Sequence, residues 1–144
     1  MDGPLTIIIL DDETKMGRIL ARVLAREGHE TVSYEQPREA LDALADGGAD
    51  LLLTDLKMPA MDGVDVVKAV KHMRPDIDVV IITGFATVET AVECMKYGAM
   101  DYVQKPFTED ELLAFVRKAL IKRQDRIQKL LKPNVHISHV PEAD

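Results

Sequence analysis

Three short apolar runs constrain the fold of this chain more than any other feature. They occupy residues 5–10, 51–54 and 79–83 and are rich in leucine, isoleucine and valine. A continuous apolar run of this length is typical of a strand that is buried on both faces of a sheet. Because parallel strands are joined by crossover helices that cover both faces, the runs predict a parallel sheet between two layers of helices.

The segments between these runs carry the patterns of helices and of two further strands. Apolar residues at three- and four-residue spacing predict helices that end at Gly28, at Gly47, before Pro75 and at Gly98, and a last helix that begins near Glu109. Short strands are predicted over 31–34 and 102–104. Five strands that alternate with five helices predict an α/β, doubly wound, five-stranded parallel sheet with the flavodoxin-like strand order 2-1-3-4-5.

The composition argues against several classes of function. With 144 residues the chain suits one domain, and its formal charge of −7 argues against nucleic-acid binding by the body as a whole. No apolar run approaches the roughly 18 residues of a membrane span, and the first residues lack a basic signal-peptide start, so a cytoplasmic location is the default expectation. We interpret the single cysteine, Cys94, as a packed thiol.

Polar residues follow the predicted strands at the points where they end. Asp11 and Asp12 follow the first strand, Asp55 the third, Thr83 ends the fourth, and Lys105 follows the fifth. The carboxyl ends of parallel strands share one edge, where α/β sheets bind ligands, so these side chains should converge. Three crowded carboxylates repel one another unless a cation relieves them, and an all-oxygen ligand set favours Mg²⁺ over zinc.

This set of residues is suited to phosphoryl transfer. The Asp55 carboxylate can attack phosphorus, Lys105 can neutralise the phosphoryl oxygens, and Thr83 can donate a hydrogen bond to one of them. Each residue alone also has a simpler interpretation. Asp12 or Glu13 can cap the first helix, Asp55 can be a turn residue, and Thr83 and Lys105 can be an ordinary strand threonine and a solvated lysine. Their joint occurrence at four strand ends favours the site.

The same segments resemble the receiver domains of bacterial two-component response regulators. The matching segments are Leu10-Asp11-Asp12-Glu13, Thr54-Asp55-Leu56-Lys57-Met58-Pro59, Met61-Asp62-Gly63, Ile82-Thr83-Gly84 and Lys105-Pro106-Phe107. They have the order and spacing of the family over residues 5 to about 122. The stretch 86–91 is closest to receivers of enhancer-binding, NtrC-like transcription activators. The resemblance implies a CheY-like fold with, here, an extended C-terminal helix.

The resemblance also implies a site and a reaction. It implies that Asp55 accepts a phosphoryl group from a sensor histidine kinase in a Mg²⁺-dependent reaction. Asp11, Asp12, Asp55 and the backbone carbonyl of Lys57 would hold the metal ion, with Asp11 acting largely through water. Such a domain is a phosphoacceptor with at most slow self-catalysed phosphorylation and dephosphorylation, not an enzyme.

Two residues are implied to act as a switch. Thr83 would move toward the phosphoryl oxygen, and Tyr102 would turn inward behind it and change the face of helix 4, strand 5 and helix 5, which contacts partners or a second copy. A simpler interpretation of Tyr102 is a half-buried aromatic with its hydroxyl in water. Phe85 is bulky and apolar at a position that the resemblance places beside the phosphoryl group, which predicts slow hydrolysis.

Two other functions remain to be distinguished from a receiver. An aspartyl-phosphate hydrolase on a similar sheet would carry a second aspartate two residues after the nucleophile, but this chain has Lys57 there. The missing acid favours storage of the phosphoryl group over its turnover. A receiver-shaped interaction domain that does not take phosphate is disfavoured by the complete set of acids, threonine and lysine.

The helical pattern continues past the end of a typical receiver. Leu113, Leu120 and Ile127 recur every seven residues, and a helix of about 35 Å would project its last turns from the body. The basic residues of this stretch are Arg117, Lys118, Lys122, Arg123, Arg126, Lys129 and Lys132. We interpret it as a linker or dimerisation helix, with a nucleic-acid contact or a solvated helix as alternatives.

These patterns predict a receiver domain over 1–122, a helical extension over 123–132 and a disordered tail over 133–144. The tail contains His136 and His139, but nothing else in it resembles a metal site. The expected partners are a sensor histidine kinase, a fused or separate output domain and a second copy of the chain, without a membrane or direct nucleic-acid contact.

Overall fold

The structure, a computed structural model, describes residues 4–59, 61–84 and 87–131. The strands are β1 (Thr6–Leu10), β2 (Glu30–Tyr34), β3 (Leu51–Thr54), β4 (Asp78–Thr83) and β5 (Asp101–Gln104). The helices are α1 (Thr14–Arg26), α2 (Pro37–Ala45), α3 (Gly63–Met73), α4 (Val88–Lys96) and α5 (Glu109–Leu131). Each predicted strand and helix is therefore present. Phe85 and the predicted tail over 133–144 lie outside the described residues.

The strands form one parallel sheet in the predicted order, β2-β1-β3-β4-β5. The chain runs from β1 outward to β2 and then back across β1 to β3, so the strand order reverses between β1 and β3. The loops at the carboxyl ends of these two strands diverge to opposite faces of the sheet and leave a crevice between them. The fold thus places the residues that follow β1 and β3 at one point.

The core lies on both faces of the sheet, as the continuous apolar runs predict. In β1, Ile8 and Leu10 pack in the cluster that contains the buried side chains of α2 and α3. Ile7 and Ile9 point to the opposite face and pack with the buried side chains of α1 and α5. Side chains of a strand alternate between faces, so burial of both sets makes the central strands rigid supports for the residues at their ends.

The apolar face of α4 is not part of this core. Val88, Val92 and Met95 are 78%, 61% and 45% exposed, although their spacing is what predicted the helix. The helix packs on the sheet through Cys94, which is a free and fully buried thiol, as predicted. Burial raises the pKa of this thiol to about 11. The periodicity therefore identified the helix correctly but not the side that faces the protein.

Helix α5 has 23 residues and continues past the body of the sheet. Arg123 donates to the Asp50 carboxylate at 3.0 Å, and both Nη atoms of Arg126 donate to Asp78, at 2.7 and 3.0 Å. Asp50 and Asp78 lie at the amino ends of β3 and β4. We call these four residues the amino-edge ion cluster. Leu131, five residues beyond Arg126, is 75% exposed, so the last turn lacks such contacts with the body.

No helix in the described part of the chain is both long enough and apolar enough to span a lipid bilayer.

Candidate functional site

Three acidic side chains meet at the carboxyl edge of the sheet. Asp11 and Asp12 follow β1, and Asp55 follows β3, on the two sides of the crevice. One carboxylate oxygen from each lies within 4.8 Å of the others. Asp11 and Asp55 are only 3% and 6% exposed, whereas Asp12 is exposed. The convergence that the strand ends predicted is therefore present in the structure.

Lys105 is the cation that faces this cluster. Its Nζ lies 3.1 Å from Asp11 Oδ2, 3.7 Å from Asp55 Oδ2 and 3.8 Å from Glu13 Oε1. The Lys105–Pro106 peptide bond is cis. One ammonium group cannot balance the carboxylates around it, so the site keeps a net negative charge that favours a further cation.

Backbone amides orient the two buried carboxylates. The Leu56 N–H donates to Asp55 Oδ1 at 2.7 Å, and the Glu13 N–H donates to Asp11 Oδ1 at 2.9 Å. Burial raises the pKa of Asp11 above its usual value, while the Glu13 amide and Lys105 act in the opposite direction. In Asp55 the backbone amide engages Oδ1, and Oδ2 is the oxygen that lies nearer to Lys105.

The simpler interpretation of the first acids is not supported at Glu13. Glu13 is the N-cap residue of α1, but its side chain makes no capping hydrogen bond. It lies instead beside Lys105. The acids border a cleft of about 500 Å³ that is also lined by Lys57, Met58, Pro59 and Gly84. The cleft gives a small anionic group access to Asp55.

Gly63 holds the chain close behind Asp55, a contact that the sequence analysis missed. A Cβ atom at this position would lie 2.6 Å from Leu56 Cα and 2.8 Å from the Asp55 carbonyl oxygen. The Gly63 N–H donates to the Leu56 carbonyl at 2.7 Å, and the Asp62 side chain caps α3. Only glycine fits this close approach. The sequence signal was the Asp-Gly pair just before a helical pattern.

The two predicted switch residues lie on adjacent strands. Thr83 ends β4, is fully buried, and accepts the Lys105 N–H through its carbonyl at 2.8 Å. Tyr102 lies on β5 opposite Ile81, and its hydroxyl is 2.8 Å from Thr90 Oγ1. Thr90 was not identified from the sequence. A threonine three residues after Thr87, at the start of a helix, is the only signal that could have indicated it.

The acidic cluster has the donor set of a hard metal ion. Asp11, Asp12 and Asp55 offer carboxylate oxygens only, and the described residues around them include no histidine or cysteine ligand. Oxygen ligands of this kind suit Mg²⁺ or Ca²⁺ rather than zinc. These residues could therefore hold a divalent cation between β1 and β3.

A parallel 2-1-3-4-5 sheet with an acidic, lysine-containing crevice at its switch point defines a flavodoxin-like α/β domain with a candidate cation site. The chain belongs to the response regulator receiver domain family, whose family model matches residues 7–117. This confirms the resemblance on which the sequence analysis relied, and with it the CheY-like fold.

Two individual relatives indicate which type of receiver the chain is similar to. The chain is 42% identical to the regulatory protein AtoC of Escherichia coli K12 over 114 residues, which are 79% of this chain and 25% of AtoC. It is 37% identical to the DNA-binding transcriptional regulator NtrC of the same strain over 120 residues, 83% of this chain and 26% of NtrC. The chain thus spans about a quarter of the length of these relatives.

A solved structure shows the same likeness. The beryllofluoride-activated NtrC4 receiver domain dimer is 30% identical, with a TM-score of 0.78 over 82% of this chain and 98% of that one. The chain is therefore a two-component receiver domain similar to those of NtrC-type transcription regulators.

Proposed function

We propose that this receiver stores a phosphoryl group on Asp55 and takes it from a phosphohistidine of a sensor histidine kinase. The observation that carries the proposal is the convergence of Asp11, Asp12 and Asp55 with Lys105 beside a cleft that is open to a small anion. We assign Asp55 as the acceptor because it lines the cleft, is held by the Leu56 amide through Oδ1 and directs Oδ2 toward Lys105 at 3.7 Å.

The transfer is an exchange of one bond for another. A carboxylate oxygen of Asp55 attacks phosphorus and forms a P–O bond as the P–N bond of phosphohistidine breaks, and the electron pair remains on the imidazole nitrogen, which is then protonated. Lys105 stabilises negative charge on the phosphoryl oxygens, for which its Nζ must exchange part of its contact with Asp11. The Thr83 hydroxyl donates a hydrogen bond to one of these phosphoryl oxygens.

We propose Mg²⁺ as the cofactor of this site. Asp11, Asp12, Asp55 and the backbone carbonyl of Lys57 would hold it, with Asp11 acting largely through water. The fit rests on the three carboxylate oxygens within 4.8 Å and on the absence of histidine and cysteine among the described cleft residues. When bound, Mg²⁺ neutralises the carboxylates and draws negative charge from the phosphoryl oxygens.

Storage rather than turnover is the outcome that the residues support. A hydrolase of similar fold would carry a second aspartate two residues after the nucleophile as its acid and base, and this chain has Lys57 at that position. The domain then acts as a phosphoacceptor with slow self-catalysed dephosphorylation rather than as an enzyme with a released product.

The stored group would act through contacts with other proteins. We propose that Tyr102 turns when Thr83 moves and that the α4-β5-α5 face then changes its contacts with an output domain or a second copy. The exposed apolar side chains of Val88, Val92 and Met95 on α4 support the proposal that this face contacts other proteins. A homodimer through the end of α5 is the alternative. The beryllofluoride-activated NtrC4 receiver domain, which this chain resembles, is a dimer.

Direct nucleic-acid binding by α5 receives little support. Five of its basic residues lie beside carboxylates, in the pairs Arg117–Glu27, Lys118–Asp101, Arg123–Asp50, Arg126–Asp78 and Lys129–Asp125. Ion pairs of this kind reduce the positive charge that phosphates could use. A cytoplasmic site of action, where a histidine kinase would present its phosphohistidine, completes the proposal.

The proposal is tested by beryllofluoride with Mg²⁺, which mimics a phosphoryl group on a carboxylate. The chain is expected to bind it and to change its assembly state in size-exclusion chromatography with light scattering, whereas Asp55→Asn should not respond. Incubation with phosphoramidate and Mg²⁺ should add one phosphoryl group to the native chain only. Phosphoryl transfer to the Asp55→Asn variant at the native rate would refute the acceptor role.

A further inference from the structure

Helix α4 is the least anchored helix of the domain. Of its nine residues, all of which the structure describes, only Cys94 is buried, whereas each of the other helices buries at least three. Its outward side chains Val88 and Val92 are largely exposed. A helix held by so few buried side chains depends strongly on how its first turn is capped.

Two threonines form that cap. The Thr87 hydroxyl accepts the Thr90 N–H at 3.0 Å, and the Thr90 hydroxyl accepts the Thr87 N–H at 3.1 Å. This reciprocal arrangement is a capping box, in which glutamate or glutamine is the usual third residue of the helix. Here the third residue is a short threonine, so its hydroxyl lies close to the backbone and within reach of the sheet.

The same Thr90 oxygen binds Tyr102. Thr90 Oγ1 lies 2.8 Å from the Tyr102 hydroxyl, 2.8 Å from Thr87 Oγ1 and 3.1 Å from the Thr87 carbonyl oxygen. A hydroxyl has one proton to donate and two acceptor positions. Four neighbours share these three positions: the Thr87 N–H, the Thr87 hydroxyl, the Thr87 carbonyl oxygen and the Tyr102 hydroxyl. Loss of the bond to Tyr102 therefore changes the hydrogen bonds of Thr90 Oγ1, which caps α4 by accepting the Thr87 N–H.

We propose that Thr90 is a positioning residue that couples the Tyr102 side chain to the first turn of α4. When the Tyr102 ring moves, Thr90 loses a partner, the cap weakens, and α4 with its exposed apolar face changes position. The inference rests on the proposed function, because phosphorylation at Asp55 supplies the movement of Tyr102. Tyr102 lies beside Ile81 of β4, two residues before Thr83, which brings it near the site.

Amide hydrogen exchange of the whole chain, followed by NMR, tests the coupling. Thr90→Val and Tyr102→Phe each remove one hydroxyl, and each should accelerate exchange in α4 by about three- to tenfold, the equivalent of one hydrogen bond. The double variant should be no faster than Thr90→Val alone, because Thr90→Val already removes the contact with Tyr102 together with the cap bonds to Thr87. Thr90→Ser should retain native exchange, and Tyr97→Phe, at the other end of α4, is the matched control.

Native exchange of α4 in Tyr102→Phe, or simple addition of the two effects in the double variant, would overturn the coupling. A second arm adds beryllofluoride and Mg²⁺. The Leu56 amide beside Asp55 should shift, and exchange of α4 should increase in the native chain but little further in Thr90→Val. A shift at Leu56 without any response of α4 refutes the inference and leaves the proposed function intact. No shift at Leu56 refutes the proposed function, while the first arm still decides the coupling.

Discussion

The amino-edge ion cluster allows a quantitative test of how α5 is attached to the body. The Asp78 side chain is only 4% exposed and accepts two hydrogen bonds from Arg126. Loss of one partner of a buried ion pair costs about 3–5 kcal/mol. Arg126 is itself 44% exposed, and Arg123 Nη1 remains 3.5 Å from Asp78. We therefore expect Arg126→Gln to lower the free energy of unfolding by about 2 kcal/mol.

A matched control lies on the same helix. Arg117 pairs with Glu27 at 3.1 Å, but their side chains are 61% and 35% exposed. Arg117→Gln should cost no more than about 1 kcal/mol, and this cost should vanish at high salt. The lower free energy of unfolding of Arg126→Gln corresponds to a decrease of roughly 6–10 °C in Tm. This decrease should persist at high salt, because a buried ion pair is screened much less than an exposed one.

Urea and thermal unfolding followed by circular dichroism measure both variants. A third variant tests the cause of the loss. If the cost comes from a buried carboxylate without its partner, adding Asp78→Asn to Arg126→Gln should restore part of the stability. Equal stabilities of Arg126→Gln and Arg117→Gln, or a salt dependence that is the same for both, would refute the assignment of a buried ion pair at this edge.

Three further predictions concern other parts of the molecule. Gly63→Ala should destabilise the fold by about 1–3 kcal/mol, because its Cβ would overlap the backbone. Gly17→Ala, within α1, should stabilise the fold by about 0.5–1 kcal/mol, because its Cβ would make only van der Waals contacts with Ser33. Equal Tm changes of the two variants would contradict this. Burial lowers the pKa of His29, whose Nδ1 accepts the Leu5 N–H at 3.0 Å, so the unfolded chain binds more protons below pH 6.5. Stability should therefore decrease as the pH falls below 6.5, and less so in His29→Asn; parallel urea-unfolding curves for the two proteins at pH 7 and 5.5 would argue against this. Cys94, with a pKa of about 11, should react with iodoacetamide at pH 8 roughly a hundredfold more slowly in the folded chain than in urea, and similar rates would show that the thiol is accessible.

The strands and the site could be predicted from the sequence because both depend on local signals. Apolar runs identify strands that are buried on two faces, and the rule that parallel strands end at one edge brings Asp11, Asp55 and Lys105 together without any distance information. The orientation of α4 could not be predicted in this way. Its apolar spacing indicates a helix, but the side that is buried is decided by the packing of Cys94 and by contacts of α4 with α3 and β5.

Long-range ion pairs were also beyond the sequence. Arg126 and Asp78 are separated by 48 residues, and nothing near either of them indicates the other. In the sequence Arg126 belongs to a basic stretch that could be solvated, dimeric or directed at nucleic acid. In the structure it is bound to the start of β4. The partner of Tyr102 is a similar case, because Thr90 is an unremarkable residue until the fold places it beside the ring.

The amino-edge ion cluster also bears on where this module can be cut. The family match ends at residue 117, and the sequence predicts a receiver that ends at 122, yet Arg123 and Arg126 come after both limits. A fragment trimmed to either limit would keep Asp78 and lose the two guanidinium groups that accompany it. We expect a receiver excised after residue 131 to fold more stably than one excised after 122. In exchanges of output domains between regulators, α5 would then have to be transferred with the receiver as far as residue 131.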